Sequence, residues 1–207
     1  FTMCVSENGD LYSFGSNFYG QLGVGSYSDC TYPQKVTSLQ NIDFVECGWN
    51  HIICKTIPGE FYCWGCNNEG QLGTGDWEQK NTPTKLGEIF GIEHQDIVDV
   101  KCGDFHTLIL TSNQEVYSSG ENFTFQLGRK GKRNCTSFGK IPNLEEIVRI
   151  ECGRHFSLCL DNYNNLYIFG NNLYNELGLD NVENVKKPMK HPSLSNIIDI
   201  SSGGNQT

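Results

Sequence analysis

"FGSNFYGQLGVG", residues 14–25, is the first of four versions of one stretch in this chain. The others are "WGCNNEGQLGTG" at 64–75, "SGENFTFQLGRK" at 119–130 and "FGNNLYNELGLD" at 169–180. Their leading glycines, at positions 15, 65, 120 and 170, are 50, 55 and 50 residues apart. Self-similarity at a nearly fixed period indicates a repeat architecture, in which each repeat is one small structural unit.

Two further motifs keep the same period. The first is "VECGWNHIIC" at 45–54, which returns as "VKCGDFHTLI" at 100–109, "IECGRHFSLC" at 150–159 and "ISSGGNQT" at 200–207. The second is "PQKV" from position 33, which returns as "PTKL" from 83, "FGKI" from 138 and "PMKH" from 188. Short apolar runs bounded by glycine and asparagine predict strands and turns. Units of this length, each a small antiparallel sheet, predict the blades of an all-β propeller.

At these residues the chain resembles the regulator of chromosome condensation repeat family. The family's blade carries Gly-x-Asn-x-x-Gly-Gln-Leu-Gly, then a proline, then a small residue and Gly-x-x-His. The resemblance covers essentially the whole chain and implies a β-propeller of this type, with four blades of the family's seven-bladed ring. We expect a partial propeller over 1–207, with repeats at about 1–48, 49–103, 104–153 and 154–203.

Stacking of repeats has a consequence for the ends of this segment. Repeats bury their apolar faces against their neighbours, so a stack of four would leave open flanks. We therefore expect the chain to be a segment of a longer one. Further propeller repeats, or another chain, are expected to cover those flanks.

The motif residues themselves predict a structural role. Glycine permits positive φ or close backbone approach in a tight turn. Each motif asparagine follows a glycine by two residues, where its amide could close an Asx-turn. The predicted turn residues are Gly15, Asn17, Gly23, Gly65, Asn67, Gly73, Gly120, Asn122, Gly128, Gly170, Asn172 and Gly178.

The cysteines raise the question of a metal site. Cys63-x-x-Cys66 resembles half of a zinc knuckle, but other repeats carry serine or other residues there and no second close pair exists. We expect no metal and no cofactor. Two repeat positions hold cysteines on strands expected to pack inside, where they would be reduced core thiols. They are Cys47, Cys102 and Cys152 at one position, and Cys4, Cys54 and Cys159 at the other.

Charge and composition narrow the function classes. The chain has 15 Lys and Arg against 24 Asp and Glu, a net charge of −9, which disfavours direct binding to nucleic acid or to an anionic membrane. No apolar run approaches the roughly 20 residues that span a bilayer, and no signal-peptide pattern is visible. We expect an intracellular protein, cytoplasmic or cytoskeletal rather than nuclear, and not secreted. Catalytic motifs are missing, so we expect no enzyme, with nucleotide exchange left open.

Function is expected where the repeats disagree, in the loops after each Cys-Gly or Ser-Gly. In the exchange factor that names the family, loops at this motif face a small GTPase, so the resemblance implies a partner-binding surface here. Aromatic and arginine side chains are the usual anchors of protein interfaces. The predicted partner-binding residues are Trp49, Asn50, Asp104, Phe105, Arg154, His155 and Asn205. His51 and His106, at the motif's histidine position, are expected only to bond backbone across blades.

A second variable band follows each Leu-Gly. Its third copy is basic, with Arg129, Lys130, Lys132 and Arg133. We interpret this loop as solvated, with contact to an acidic protein surface as the alternative.

Two functions remain for the whole chain. The first is a non-enzymatic scaffold that holds a protein partner against the loop face. The alternative is guanine nucleotide exchange on a small GTPase, by analogy with the family's founder. Exchange in the founder is associated with a wedge-like insertion, whereas the insertion here, residues 87–96, is short. Propellers of this family also serve as adaptors, so fold analogy alone does not support exchange, and we favour the scaffold.

Overall fold

The computed structural model describes residues 1–87, 92–131 and 133–204, and within them the chain forms antiparallel sheets that follow one another in sequence. The first sheet has three strands and the next three have four each. The strands are β1 (Thr2–Val5), β2 (Leu11–Gly15), β3 (Cys30–Lys35), β4 (Ile42–Cys47), β5 (His51–Thr56), β6 (Phe61–Gly65), β7 (Lys80–Lys85), β8 (Ile97–Cys102), β9 (His106–Thr111), β10 (Val116–Gly120), β11 (Cys135–Lys140), β12 (Ile147–Cys152), β13 (Phe156–Asp161), β14 (Leu166–Asn171) and β15 (Asn184–Lys190). The all-β prediction is confirmed.

Each sheet is a meander in which sequential strands pair. In the second sheet the order is β4, β5, β6, β7, and the third and fourth sheets repeat it. The first strands of the last three sheets, β4, β8 and β12, lie next to one another, so they form the inner side of the stack. A repeat divided at Cys-Gly therefore contains three strands of one sheet and the first strand of the next.

The hydrophobic core lies between neighbouring sheets. On β5, Ile52 and Cys54 pack towards the first sheet with Leu11, whereas Ile53 packs towards the third sheet with Ile109. Successive side chains on a strand point to opposite faces, so a strand between two sheets is buried on both. This is why the middle strands appear in the sequence as short continuous apolar runs.

The glycine of each of the first three Leu-Gly pairs makes room for an aromatic ring of the next sheet. A Cβ atom on Gly23 would lie 2.7 Å from Nε1 of Trp64, and one on Gly73 would lie 2.1 Å from the ring of Phe138. Both glycines also have positive φ, +69° and +71°. The other predicted turn glycines share this left-handed backbone, as the turn prediction requires.

The motif asparagines are buried braces rather than Asx-turns. Oδ1 of Asn67 accepts a hydrogen bond from the backbone N–H of Leu72 at 3.0 Å, and its Nδ2 donates to the carbonyl of Asp76 at 2.9 Å. One amide thus closes a turn and ties it to the loop before the outermost strand. Asn17, Asn122 and Asn172 make the same pair of bonds. The Asx-turn prediction was wrong because the amide reaches five residues along the chain, not two.

The cysteines divide according to whether a preceding strand covers them. Cys54, Cys102, Cys152 and Cys159 are buried, as predicted, but Cys4 and Cys47 are exposed. Cys152 is covered by the third sheet, with its Sγ 3.4 Å from the carbonyl of Lys101. The three-stranded first sheet offers no corresponding inner strand to cover Cys47. All ten cysteines are free thiols.

The extra residues of the second repeat lie before β8. Residues 88–91 of this insertion are outside the described part of the chain, and its end forms a single 3-10 turn, His94–Asp96. Among the described residues, no helix has the length and apolar character needed to cross a membrane.

Candidate functional site

Three tight turns carry the predicted partner-binding residues to one place. Each turn joins an inner strand to the next strand of its sheet and is closed by a backbone bond from the glycine N–H. Gly48 donates to the carbonyl of His51 at 2.9 Å, Gly103 to that of His106 at 2.8 Å, and Gly153 to that of Phe156 at 3.0 Å. The two residues at each tip are therefore held at the same end of three adjacent sheets.

The tips form a row of contacting rings, which we name the aromatic ladder: Trp49, Phe105 and His155. The ring centroids of Trp49 and Phe105 are 5.2 Å apart with planes tilted by 54°, and those of Phe105 and His155 are 5.7 Å apart and stacked at 26°. Half of the surface of Trp49 is exposed. Rings fixed against one another lose little entropy on binding, which suits a contact surface.

One ion pair runs alongside the ladder. Nε of Arg154 lies 3.0 Å from Oδ2 of Asp104, and its guanidinium is 5.4 Å from the ring centroid of Trp49. The backbone N–H of Asp104 also donates to the carbonyl of Arg154 at 3.2 Å. Burial raises the pKa of Asp104, and this outweighs the opposing effect of Arg154. The arginine is thus oriented across the ladder from a neighbouring sheet.

A cavity of about 290 Å³ opens beside the ladder. Oε2 of Glu121 lies 2.8 Å from Nδ1 of His155 and accepts a bond from Nε2 of Gln126 at 2.6 Å, which fixes one edge of the cavity. Leu173 and Tyr174 form its opposite wall. The site therefore combines a carboxylate, an imidazole and an apolar wall.

The structure adds exposed residues that stand inside the repeated turn motif. Phe18, Phe123, Leu173 and Tyr174 stand one or two positions after a motif asparagine, and each is more than half exposed. The fourth sheet's pair lines the cavity beside His155, and Oγ1 of Thr124 donates to the carbonyl of His155 at 3.2 Å. These positions differ from repeat to repeat inside an otherwise regular motif, which is the signal that could have identified them.

Two other predicted partner-binding residues have different outcomes. Oδ1 of Asn50 accepts a bond from Nε2 of Gln21 at 3.0 Å, so its amide ties the first sheet to the second. Asn205 lies outside the described residues.

The motif histidines are buried links between sheets, and the Nε2 atom of each contacts a hydroxyl of the next sheet. Nε2 of His51 lies 3.0 Å from Oγ1 of Thr107, whose hydroxyl donates to the carbonyl of Gln71 at 2.7 Å. Because the hydroxyl's proton goes to the carbonyl, Nε2 must carry the hydrogen. His106 makes the same link, with Nε2 2.9 Å from Oγ of Ser157. The prediction of a backbone bond is wrong for His51, whereas His106 also has a hydrogen bond with the backbone of Phe156 in the next sheet.

Burial keeps both histidines neutral. It lowers the pKa of His51 and of His106 to about 3. Phe156 occupies the same position in the fourth sheet and is also fully buried. A position that accepts either an unprotonated imidazole or a phenyl ring is structural.

Beneath the ladder, a cavity of about 540 Å³ lies along the inner strands. Nζ of Lys101 on β8 is 3.2 Å from Oε1 of Glu151 on β12. Burial would lower the pKa of Lys101, but Glu46, Glu151 and Asp99 together raise it. This lysine therefore joins carboxylates from the adjacent inner strands.

The basic loop is not uniformly solvated. Arg129 folds against β11, 3.5 Å from the carbonyl of Ser137, and it occupies the space that a Cβ of Gly139 would fill. The solvated-loop interpretation is therefore wrong for Arg129. Lys130 and Arg133 are exposed, and Lys132 lies outside the described residues.

The Cys63-x-x-Cys66 pair lies in the interior. Both cysteines are buried, and burial raises the pKa of Cys63 to about 12. Across 1–87, 92–131 and 133–204, no group of three or more His, Cys, Asp or Glu is placed to hold a metal ion.

The chain is similar to known repeat proteins. Residues 8–54, 58–110, 113–160 and 163–207 match the "Regulator of chromosome condensation (RCC1) repeat". Over 123 residues, 58% of this chain, it is 34% identical to the human E3 ubiquitin-protein ligase HERC2 and covers 2% of that protein. Over 129 residues, 61% of this chain, it is 32% identical to the ultraviolet-B receptor UVR8 of Arabidopsis thaliana and covers 29% of it.

Solved structures share the fold. Prp20p from Saccharomyces cerevisiae has a TM-score of 0.86 at 22% identity, over 98% of this chain and 51% of that one. Human WBSCR16 has a TM-score of 0.83 at 21% identity, over 98% of this chain and 53% of that one. The chain thus spans about half the length of these structures, and a smaller share of the two curated relatives.

Proposed function

Because this chain belongs to the regulator of chromosome condensation (RCC1) repeat family, we propose that it is a non-enzymatic module that binds a protein partner through its loop face. The loop face consists of the aromatic ladder, the Asp104–Arg154 pair and the exposed side chains of the motif loops that bond to or line these turns, Phe18, Phe123, Leu173 and Tyr174. The observation that carries the proposal is the ladder itself. Its three rings come from three sheets, so the fold assembles them at one end of the stack.

The chemistry of this face suits a protein partner. Tryptophan, tyrosine and arginine dominate the residues that contribute most to protein interfaces, above all where they are held rigidly. Here Arg154 is oriented by both an ion pair and a ring. Trp49 is half exposed, and the face carries further exposed apolar side chains. Covering this apolar surface with a partner contributes favourable free energy to the complex.

The two curated relatives carry this kind of repeat in proteins with different activities, and those activities are not transferred to this chain. The solved structure of Prp20p is described with its binding to Gsp1p and histones, which supports a protein as the ligand class. The ten free thiols support the expectation of a reducing, intracellular compartment.

The test uses two tryptophans that are exposed to the same extent. Trp49 is 50% exposed on the loop face, and Trp77 is 53% exposed on the loop before β7. The immobilised chain is incubated with lysate of its source cells, in EDTA and separately in excess GTP with magnesium. We expect Trp49→Ala to reduce retention of a stoichiometric partner about thirtyfold, as loss of an anchor worth ~2 kcal/mol implies. Trp77→Ala should leave retention unchanged.

The outcomes separate the functions. Equal retention by the two variants would show that the partner uses another surface. A small GTPase that is retained in EDTA and released by GTP would establish the exchange alternative instead of a scaffold. Thermal melting of both variants checks that Trp49 is not part of the core, since its removal should leave the melting temperature nearly unchanged.

A further inference from the structure

The cations that lack an acidic partner are confined to two segments. Eight of the fourteen described lysines and arginines lie within 4.0 Å of an Asp or Glu oxygen. The described exceptions are Arg129, Lys130, Arg133, Lys186, Lys187 and Lys190. In a chain of net charge −9, these two segments form a local patch of the opposite sign.

The two segments meet at a groove between the third and fourth sheets. Lys130, on the loop that follows the third Leu-Gly, and Lys187, on β15, line one cavity of about 300 Å³. Pro142 and Pro188 contribute its apolar walls, with Asn143 beside them, and none of the described lining residues is a carboxylate. The groove therefore offers an apolar floor between two ammonium groups.

Apolar walls and exposed lysines also continue along β15, the outer strand of the fourth sheet. A neighbouring cavity of about 480 Å³ is lined by Val182, Val185, Lys186 and Met189, with Asp180 as a single carboxylate. Lys186 is held 6.0 Å from the ring centroid of Phe125. Lys130, Lys187 and Lys190 are exposed, so their charges are available to a ligand.

We propose that this groove is a second docking surface, separate from the loop face, and that it binds an acidic segment of a protein partner. One apolar side chain of the segment rests against Pro142 and Pro188, while flanking carboxylates pair with Lys130 and Lys187. Opposite charge across an interface steers association and selects the partner. The aliphatic stems of the lysines extend the apolar wall around the inserted side chain.

Charge and shape favour a peptide over nucleic acid. A nucleic acid presents a continuous line of phosphates, which would meet the net negative charge of the rest of the chain. A short acidic segment places its charges only where the lysines are. It also supplies the apolar side chain for which a proline-walled groove has room.

The experiment measures binding of a labelled peptide, Glu-Glu-Glu-Leu-Glu-Glu-Glu, to the full chain by fluorescence anisotropy at low salt. The test variant is Lys130→Gln with Lys187→Gln. The matched control is Lys35→Gln with Lys85→Gln, which removes the same charge from two other outer strands. We expect the test pair to weaken binding about tenfold and the control pair to weaken it less than about twofold. Thermal melting checks that both variants are folded.

Two further probes identify the ligand class. Replacing the central leucine of the peptide by glycine should weaken binding. An unchanged affinity would show that only charge contributes and that the apolar walls do not, and it would overturn the proposal. A single-stranded oligonucleotide of equal charge should bind more weakly than the peptide, and tighter binding would overturn the assignment to a protein segment. Absence of peptide binding, or equal loss in both lysine pairs, would also overturn it.

Discussion

Lowering the pH from about 7 to about 5 should destabilise this chain through its two buried histidines. His51 and His106 have a pKa of about 3 in the folded chain against an ordinary value of 6.5. Between these two values, both histidines are protonated in the unfolded chain but neutral in the folded chain. The stability that these groups contribute is fully present above pH 6.5 and is lost as the pH falls from 6.5 towards 3.

The size of the effect follows from linkage. Each histidine removes ~1.4 kcal/mol of stability per pH unit within this window. At pH 5 the loss is ~2 kcal/mol for each ring and ~4 kcal/mol for both, a large part of the 5–15 kcal/mol typical of a folded domain. Half-buried carboxylates such as Glu46, whose pKa is raised by desolvation, act in the opposite direction. The histidine contribution is therefore measured as a difference between variants.

The variant is His106→Phe. The fourth sheet already holds Phe156 at this position beside a glycine, and Gly103 leaves the same space beside His106. Urea unfolding at pH 7 and pH 5, followed by circular dichroism and by fluorescence of the buried Trp64, gives the free energy of unfolding of each chain. The natural chain should lose ~2 kcal/mol more than the variant between the two pH values.

A direct measurement can refute this reasoning. Nuclear magnetic resonance of the imidazole rings should show His106 neutral, with hydrogen on Nε2, from pH 8 to below pH 5. If the ring titrates near pH 6.5, or if the natural chain and the variant lose stability equally, then His106 is not the buried neutral link described above.

Three further changes probe the frame, each followed by urea unfolding. Asn67→Ala leaves a buried N–H and a loop carbonyl unpaired and should cost ~2–3 kcal/mol, whereas the exposed neighbour variant Asn68→Ala should cost little; equal costs would contradict the brace. Gly73→Ala combines a φ of +71° with a Cβ 2.1 Å from the ring of Phe138 and should cost ~3 kcal/mol, so a neutral result would contradict the packing. Ser119→Trp and Phe138→Pro should each destabilise alone and compensate each other when combined, with a coupling energy of ~1–3 kcal/mol; simple additivity would show the sites to be independent.

Much of the fold could be predicted because repetition supplies its own alignment. Four copies of one motif identify turn glycines and alternating strand positions without any homologous sequence. The same register predicted that Trp49, Phe105 and His155 would share one end of the stack, since each follows a Cys-Gly. Their stacking distances could not be predicted, because they depend on how far each sheet is rotated from its neighbour.

The groove between Lys130 and Lys187 could not be predicted from the sequence, for a different reason. Lys130 and Lys187 are separated by a whole repeat, and the composition of the chain is acidic. The basic cluster at 129–133 is visible in the sequence, but its proximity to the lysines of β15 is not. It also could not separate paired from unpaired cations, because ion pairs such as Lys35 with Asp10 form between residues distant in sequence.

In the third repeat, two core residues that are distant in sequence also act together. Ser119 stands where the other repeats have Phe14, Trp64 and Phe169, and Phe138 stands where they have proline. Taken separately, each is a departure from the motif that weakens the expectation of a regular blade.

In the structure the two departures compensate each other. The ring of Phe138 packs against Gly73, as the ring of Trp64 packs against Gly23 in the preceding pair of sheets. The indole N–H of Trp64 donates to the carbonyl of Gln21, and the hydroxyl of Thr107 donates to the equivalent carbonyl of Gln71. Volume and hydrogen bonding are therefore both retained, although the residues that supply them differ. A motif records which residues usually fill a space, whereas packing requires only that the space be filled and its polar atoms paired.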